Sequence, residues 1–181
     1  MTDGADPPMR AIDDGVLSLE PQTVEHAEEM FAVLSDPAIY EYENQPPASV
    51  EWLRTRFGKL ESRRSADGTE QWLNWVVRIA EGGLIGYVQA TVRADGSAAI
   101  AYELSSAHWG RGLGRRAVAA MLVELVARYR VTAFDAVAKQ QNWRSLRLLE
   151  RLGFAPADPG RRPPDEIEPG EVLLVREGAS P

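Results

Sequence analysis

The chain has no cysteine, only two histidines (His26 and His108), and, arginine aside, only two basic side chains, Lys59 and Lys139. Without cysteine there are no disulfides and no thiolate zinc sites, and an intracellular, cytoplasmic setting is favoured. Two imidazoles are too few for a histidine-rich metal site, so no metal is expected. No run approaches the roughly 18 apolar residues of a membrane span. The stretch Met1 to Asp14 is acidic, contains Pro7 and Pro8, and lacks the apolar core of a secretory signal. It reads as a flexible tail ahead of a single domain over 15–177, with 178–181 as a second short tail. A net charge of −7 argues against nucleic acid as a partner and favours cationic ones.

What is present suits one folded domain. The 181 residues are 44% apolar and include five tryptophans, enough for a sizeable core. Val16–Leu19 alternates as a strand. A helical stripe of Ala27, Met30, Phe31 and Leu34 follows Thr23 and stops at Asp36-Pro37. Ser49 is placed to cap a second helix through about Arg63. Three β-like runs come next, Trp72–Ile79, Leu84–Val92 and Ala98–Leu104, separated by Gly82-Gly83 and Asp95-Gly96. Those dipeptides signal hairpins, so the runs form a meander. A helix to about Tyr129, a strand over 131–138, a helix over 142–152 stopped by Gly153, a proline-rich loop and a last strand over 172–176 complete the chain. The order β-α-α-β-β-β-α-β-α-β predicts an α+β, or mixed α/β, layer around a central sheet.

The stretch richest in chemistry is Trp109-Gly110-Arg111-Gly112-Leu113-Gly114-Arg115-Arg116. Glycines at alternate positions let the backbone turn tightly and approach a ligand. The helix that follows aims its unpaired N–H groups and positive dipole end into the turn, which with three arginines makes a seat for a phosphate-bearing cofactor. A Walker A loop is excluded, because no Gly-Lys-Ser/Thr follows. A dinucleotide fingerprint fits better, since Gly112-x-Gly114-x-x-Ala117 is G-x-G-x-x-A and Asp135 lies about 20 residues on. Against that nicotinamide reading, Ser105–Trp109 intervene after the strand, and a hairpin meander precedes it where a βαβ unit is required.

Together with Asn142-x-x-Ser145 and the ending Leu149-Glu150-x-x-Gly153-Phe154, this stretch resembles the GNAT superfamily of N-acetyltransferases over about 16–176. Tryptophan at the first loop position, with N-x-x-S, is similar to the branch that acetylates ribosomal-protein N-termini. The resemblance implies a mostly antiparallel central sheet splayed at one strand pair, flanked by helices, and acetyl-CoA as donor. Trp109–Arg116 would then hold the pyrophosphate. Backbone groups of Leu104, Ser105 and Ser106 would meet the pantetheine arm and the acetyl carbonyl, and Asn142 would bond the cofactor. Tyr40, Tyr42 and Glu43 fall in the segment expected to line the acceptor side.

A protonated amine needs a base. Strand alternation puts Glu103 beside Ala99 and Ala101, on the face opposite Ile100, Tyr102 and Leu104, with room around its carboxylate. Glu103 is the candidate base; a solvent-facing or salt-bridged glutamate is the competing reading. Many members of the superfamily carry a tyrosine seven residues after the asparagine to protonate the leaving thiolate, but Leu149 stands there. Ser145 is the substitute candidate. The expected activity is acetyl transfer by direct attack of an amine, of a small molecule or a peptide N-terminus, on the thioester, in a monomer or homodimer. A catalytically silent acyl-CoA-binding module is the alternative.

Overall fold

The structure is a computed structural model and describes residues 7–42, 44–80, 82–158 and 167–178. Among the described residues eight strands form one sheet in the order β1-β2-β3-β4-β5-β6-β8-β7: β1 (Ile12–Asp13), β2 (Leu17–Pro21), β3 (Gln71–Ile79), β4 (Leu84–Val92), β5 (Ser97–Leu104), β6 (Ala133–Lys139), β7 (Ala155–Pro156) and β8 (Glu171–Glu177). All neighbours are antiparallel except β5 and β6. The expected α+β class and meander are found.

Four α-helices among the described residues cover the sheet: α1 (Ala27–Leu34), α2 (Val50–Leu60), α3 (Leu113–Tyr129) and α4 (Trp143–Arg151). Ser49 Oγ accepts the Trp52 N–H at 3.0 Å and so starts α2 as expected. Helices α1 and α2 bury Met30, Leu34, Leu53 and Phe57 with Val76 and Leu84 against one face. On the other face the larger core gathers Leu19, Trp75, Val88 and Ile100 with Ala117, Val118, Met121 and Leu125 of α3 and Leu149 of α4.

Residues 7–14 are not a free tail, and residues 1–6 lie outside the described residues. Arg10 clamps buried Glu124 of α3 with Nε to Oε1 at 2.9 Å and Nη2 to Oε2 at 2.7 Å, and its carbonyl accepts the Trp75 indole N–H at 3.0 Å. The segment packs because it supplies a counter-ion to a buried carboxylate of α3 and an acceptor to a buried indole of β3.

Two departures from regularity open the sheet. The β5–β6 ladder spans only Ser97↔Ala133, Ala98↔Phe134 and Ala99↔Asp135, after which the strands part. On the other side of β5, the β3–β4 register slips between Val77 and Arg78, leaving Ile85 as an extra residue in β4. Gly86 follows with φ +156°, and a Cβ there would stand 2.1 Å from the Glu103 carbonyl oxygen. Only glycine lets β4 lie this close to β5 where β5 enters the opening.

Candidate active site

The parted strands, α2, the segment before it, the glycine turn and the start of α4 enclose a cleft of about 1050 Å³. Its lining includes Gly110, Gly112, Gly114, Arg115, Asn142 and Ser145 at one end and Tyr40, Tyr42, Tyr87 and Glu103 at the other. The motifs singled out in the sequence are thereby brought together, although more than a hundred residues of chain separate Tyr40 from Ser145.

At the glycine turn, Gly110 and Gly112 have φ of +72° and +76°, and a Cβ on either would meet nothing within 4 Å. Their service is conformational, and it leaves the turn bare toward the cleft. The first helical bond of α3 runs from the Arg116 N–H to the Gly112 carbonyl at 3.1 Å, so the N–H groups of Leu113, Gly114 and Arg115 precede the ladder. They form, with the dipole of a 17-residue helix, a site for an anion. Gly114 has a separate reason: a Cβ there would lie 3.1 Å from Leu148 Cδ1, so glycine seats α3 against α4.

The three arginines do not act alike. Arg115 lines the cleft, Arg111 is exposed beside it, and Arg116 is ion-paired through Nε with Asp14 Oδ2. Arg116 therefore ties α3 to the N-terminal segment, a partnership no local pattern announces. Trp109 is a brace: its indole donates to the Leu104 carbonyl at 2.8 Å, and the Arg144 guanidinium sits 4.6 Å from its ring centroid. Arg144 also pairs with Glu41 at 3.0 Å, linking α4 to the acceptor segment.

The N–H groups of Ser105 and Ser106 are engaged within the protein. The Ser105 N–H donates to the Ile85 carbonyl at 2.8 Å, and the Ser106 N–H to Asp36 Oδ2 at 2.7 Å. Burial alone would raise the Asp36 carboxyl. Hydrogen bonds from Ser106, Ala38 and Ser105 outweigh that and hold it below the usual carboxylate range. Because Ser97 O and Ser105 N–H both point to the β4 side, alternation aims the backbone groups of Tyr102 and Leu104 toward β6, which has parted from β5 there. These are the strand groups that face the opening.

Glu103 lies in the cleft wall, its Oε1 accepting from Asn44 Nδ2 at 3.1 Å. Burial, then the Glu103 charge and hydrogen bond, push the Tyr87 hydroxyl well above its ordinary value. Burial, then Glu103 and Asp36, raise Tyr40 as well, and its hydroxyl donates to the Leu34 carbonyl at 2.7 Å. Tyr40 thus offers a ring to the cleft, its O–H being engaged. Glu43 lies outside the described residues. Beside the glycine turn, burial and the nearby Arg111 lower the His108 pKa and favour its neutral form.

On α4, Asn142 Oδ1 caps the helix by accepting the Ser145 N–H at 3.1 Å. The Nδ2 amide is the part of that side chain left for a ligand. Leu149 is 1% exposed, a core residue with no contribution to the site's chemistry. Sequence reasoning missed Tyr102. Its hydroxyl reaches across the opening to Ser145 Oγ at 2.7 Å.

Fold and cleft suit an acyl-transferring enzyme. The chain belongs to the acetyltransferase (GNAT) domain family, whose model matches residues 17–155. Solved structures share the fold. A ribosomal L7/L12 alpha-N-protein acetyltransferase in complex with coenzyme A superposes with a TM-score of 0.75 at 14% identity, covering 92% of this chain and 97% of that one. The ribosomal-protein-S5-alanine acetyltransferase from Vibrio fischeri gives 0.73 at 18% identity, with 93% and 97% covered. A GNAT-family acetyltransferase from Bacillus anthracis gives 0.73 at 15%, with 93% and 98% covered. No curated protein matches the chain by sequence. Among the described residues no helix is long and apolar enough to cross a membrane.

Proposed function

We propose that the protein is an acetyl-CoA-dependent N-acetyltransferase in which an acceptor amine, on a small molecule or a peptide N-terminus, attacks the thioester directly. The observation that carries this reading is the single cleft joining a bare anion seat at α3 to a carboxylate on β5. Acetyl-CoA, when bound, supplies the thioester whose acetyl group passes to nitrogen, and such a donor implies a cytoplasmic setting.

The residues fit that donor. The turn 110–115 offers backbone N–H groups and the Arg115 guanidinium to a pyrophosphate. The backbone of Tyr102 and Leu104 offers strand-like hydrogen bonds to an extended amide chain, and the Leu104 N–H is the donor in this reading to the carbonyl oxygen as it gains charge. Asn142 Nδ2 adds a side-chain contact. Ser145 faces the leaving sulfur, Tyr42 and the Tyr40 ring line the acceptor side, and Glu43 belongs to the same segment. Glu103, held by Asn44, takes a proton from the acceptor ammonium, directly or through water.

The test is to mix the protein with acetyl-CoA and a panel of amines and peptides and follow release of free thiol. Saturable thiol release with matching N-acetyl product supports the reading. Saturable CoA binding without release across the panel favours the silent binding module, and no CoA binding by calorimetry removes both.

A further inference from the structure

Ser145 and Tyr102 belong to elements that nothing nearby in the sequence connects. Tyr102 stands on β5, on the face shared with Ile100 and Leu104, packed against the main core. Ser145 is the third residue of α4, its N–H already bound by Asn142. Their oxygens meet at 2.7 Å in the wall of the cleft, beyond the point where β5 and β6 part. Burial pushes the Tyr102 hydroxyl up to about 12, with the Ser145 hydrogen bond pulling the other way, so the phenol is protonated at neutral pH. A phenol is the stronger donor and an alcohol oxygen the stronger acceptor. The Tyr102 hydrogen therefore goes to Ser145 Oγ; the alternative acceptor, the Ser145 carbonyl, is 3.4 Å away.

We infer that Tyr102 is a positioning residue for thiol release: by donating to Ser145 Oγ it fixes the serine rotamer and leaves the serine O–H free to point into the cleft at the sulfur of bound coenzyme A. This rests on the reading of the site given above. As the C–N bond forms and the C–S bond breaks, the electron pair leaves on sulfur, where Ser145 donates a hydrogen bond to it. Glu103 has already taken one proton from the acceptor ammonium; the second leaves the new C–N nitrogen to solvent, and sulfur takes its own proton from solvent after leaving. Ser145, held from the strand by the phenol, thus supplies the O–H near the sulfur that buried Leu149 cannot. Charged or titratable basic and acidic groups bordering the cleft are Arg56 on α2, Glu103 on β5, His108 and Arg115 at the glycine turn, and Arg144, Arg147 and Arg151 on α4. The substitutions proposed here alter none of them.

The experiment needs no knowledge of the acceptor. Coenzyme A is bound to the wild type, Tyr102→Phe, Ser145→Ala and the double variant. The thiol is titrated by the ultraviolet absorbance of the thiolate, with the cofactor-free protein subtracted. The expected result is a bound-thiol pKa lower in the wild type than in Tyr102→Phe by about one unit, the scale of one hydrogen bond to a charged group. Ser145→Ala should shift it similarly, and the double variant no further, because the two hydroxyls act as one unit. CoA affinity at neutral pH should stay within roughly threefold in Tyr102→Phe, since the substitution removes only an oxygen. A wild-type thiol pKa in Tyr102→Phe overturns the inference while leaving the CoA site standing. Failure of the wild type to bind CoA overturns the site reading and the inference with it.

Discussion

Gly112 holds φ at +76° with open space where a Cβ would point, so a side chain there is strained only mildly and stands in the cleft mouth. Gly112→Asp should fold yet lose at least about a hundredfold in CoA affinity, because a carboxylate replaces bare N–H groups at an anion seat. Gly112→Asn has the same shape without the charge and should lose far less; equal losses in calorimetry would show that shape, not charge, sets the site. Glu103→Gln should lower the acetylation rate at least about tenfold below the pKa of the acceptor amine, where a proton must be removed. Above that pKa the amine is already free and the loss should vanish, so a pH–rate profile parallel to wild type excludes Glu103 as base. Gly112, Asn142 and Glu103 were legible in the sequence because turn chemistry, capping and strand alternation are local. Tyr102 was not, because its meaning lies in Ser145, 43 residues further on. The ion pair of Arg116 is hidden for the same reason, its carboxylate partner Asp14 standing in a segment that reads as a tail.

Among the elements, those with a full period or a turn dipeptide were legible: the three meander strands between Gly82-Gly83 and Asp95-Gly96, and α3 behind its glycines. Strands β1 and β7 are two residues each, too short to show alternation, and exist only as additions to β2 and β8. The parting of β5 and β6 was expected from resemblance; what makes it is a register of three residues. Gly86 carried a readable signal, since glycine inside a strand marks a bulge or a close approach. Here it marks both. Gly86→Ala would set a Cβ 2.1 Å from the Glu103 carbonyl oxygen and 2.7 Å from Leu104 Cα, both backbone, so β4 and β5 must separate. The expected cost is about 1–3 kcal/mol of unfolding free energy, read as a lower denaturant midpoint, with weaker CoA binding because Leu104 moves. Wild-type stability and affinity in this variant would mean that the bulge plays no part in aiming β5.

For the molecule as a whole, carboxylates tie the α1 side of the sheet to its neighbours, and their protonation sets acid stability. Arg78 of β3 joins Glu20 of β2 at 2.7 Å and Glu29 of α1 at 3.2 Å, and Glu29 also accepts the Leu84 N–H at 2.6 Å. Burial would raise both glutamates, but for Glu20 the Arg78 and His26 contacts, and for Glu29 the Leu84 N–H and Arg78, prevail and hold each below its ordinary value. Asp14 and Asp36 are lowered too, hydrogen bonds again outweighing burial. A carboxyl with a depressed folded pKa binds fewer protons folded than unfolded. Its stabilisation is therefore complete above the unfolded value and is lost as pH falls through the folded one. Stability to urea should hold from neutral pH down to about 5 and then decline steadily below about 4, the unfolded carboxylate range. Arg78→Met removes the shared cation, so the glutamates return toward ordinary values and the decline below pH 4 should be shallower than in wild type. Urea midpoints across that range, measured for both proteins, decide it: parallel curves would assign acid sensitivity to the other lowered carboxylates, Asp14 and Asp36 among them, and a steeper decline in the variant would contradict the sign of the Glu20 and Glu29 shifts.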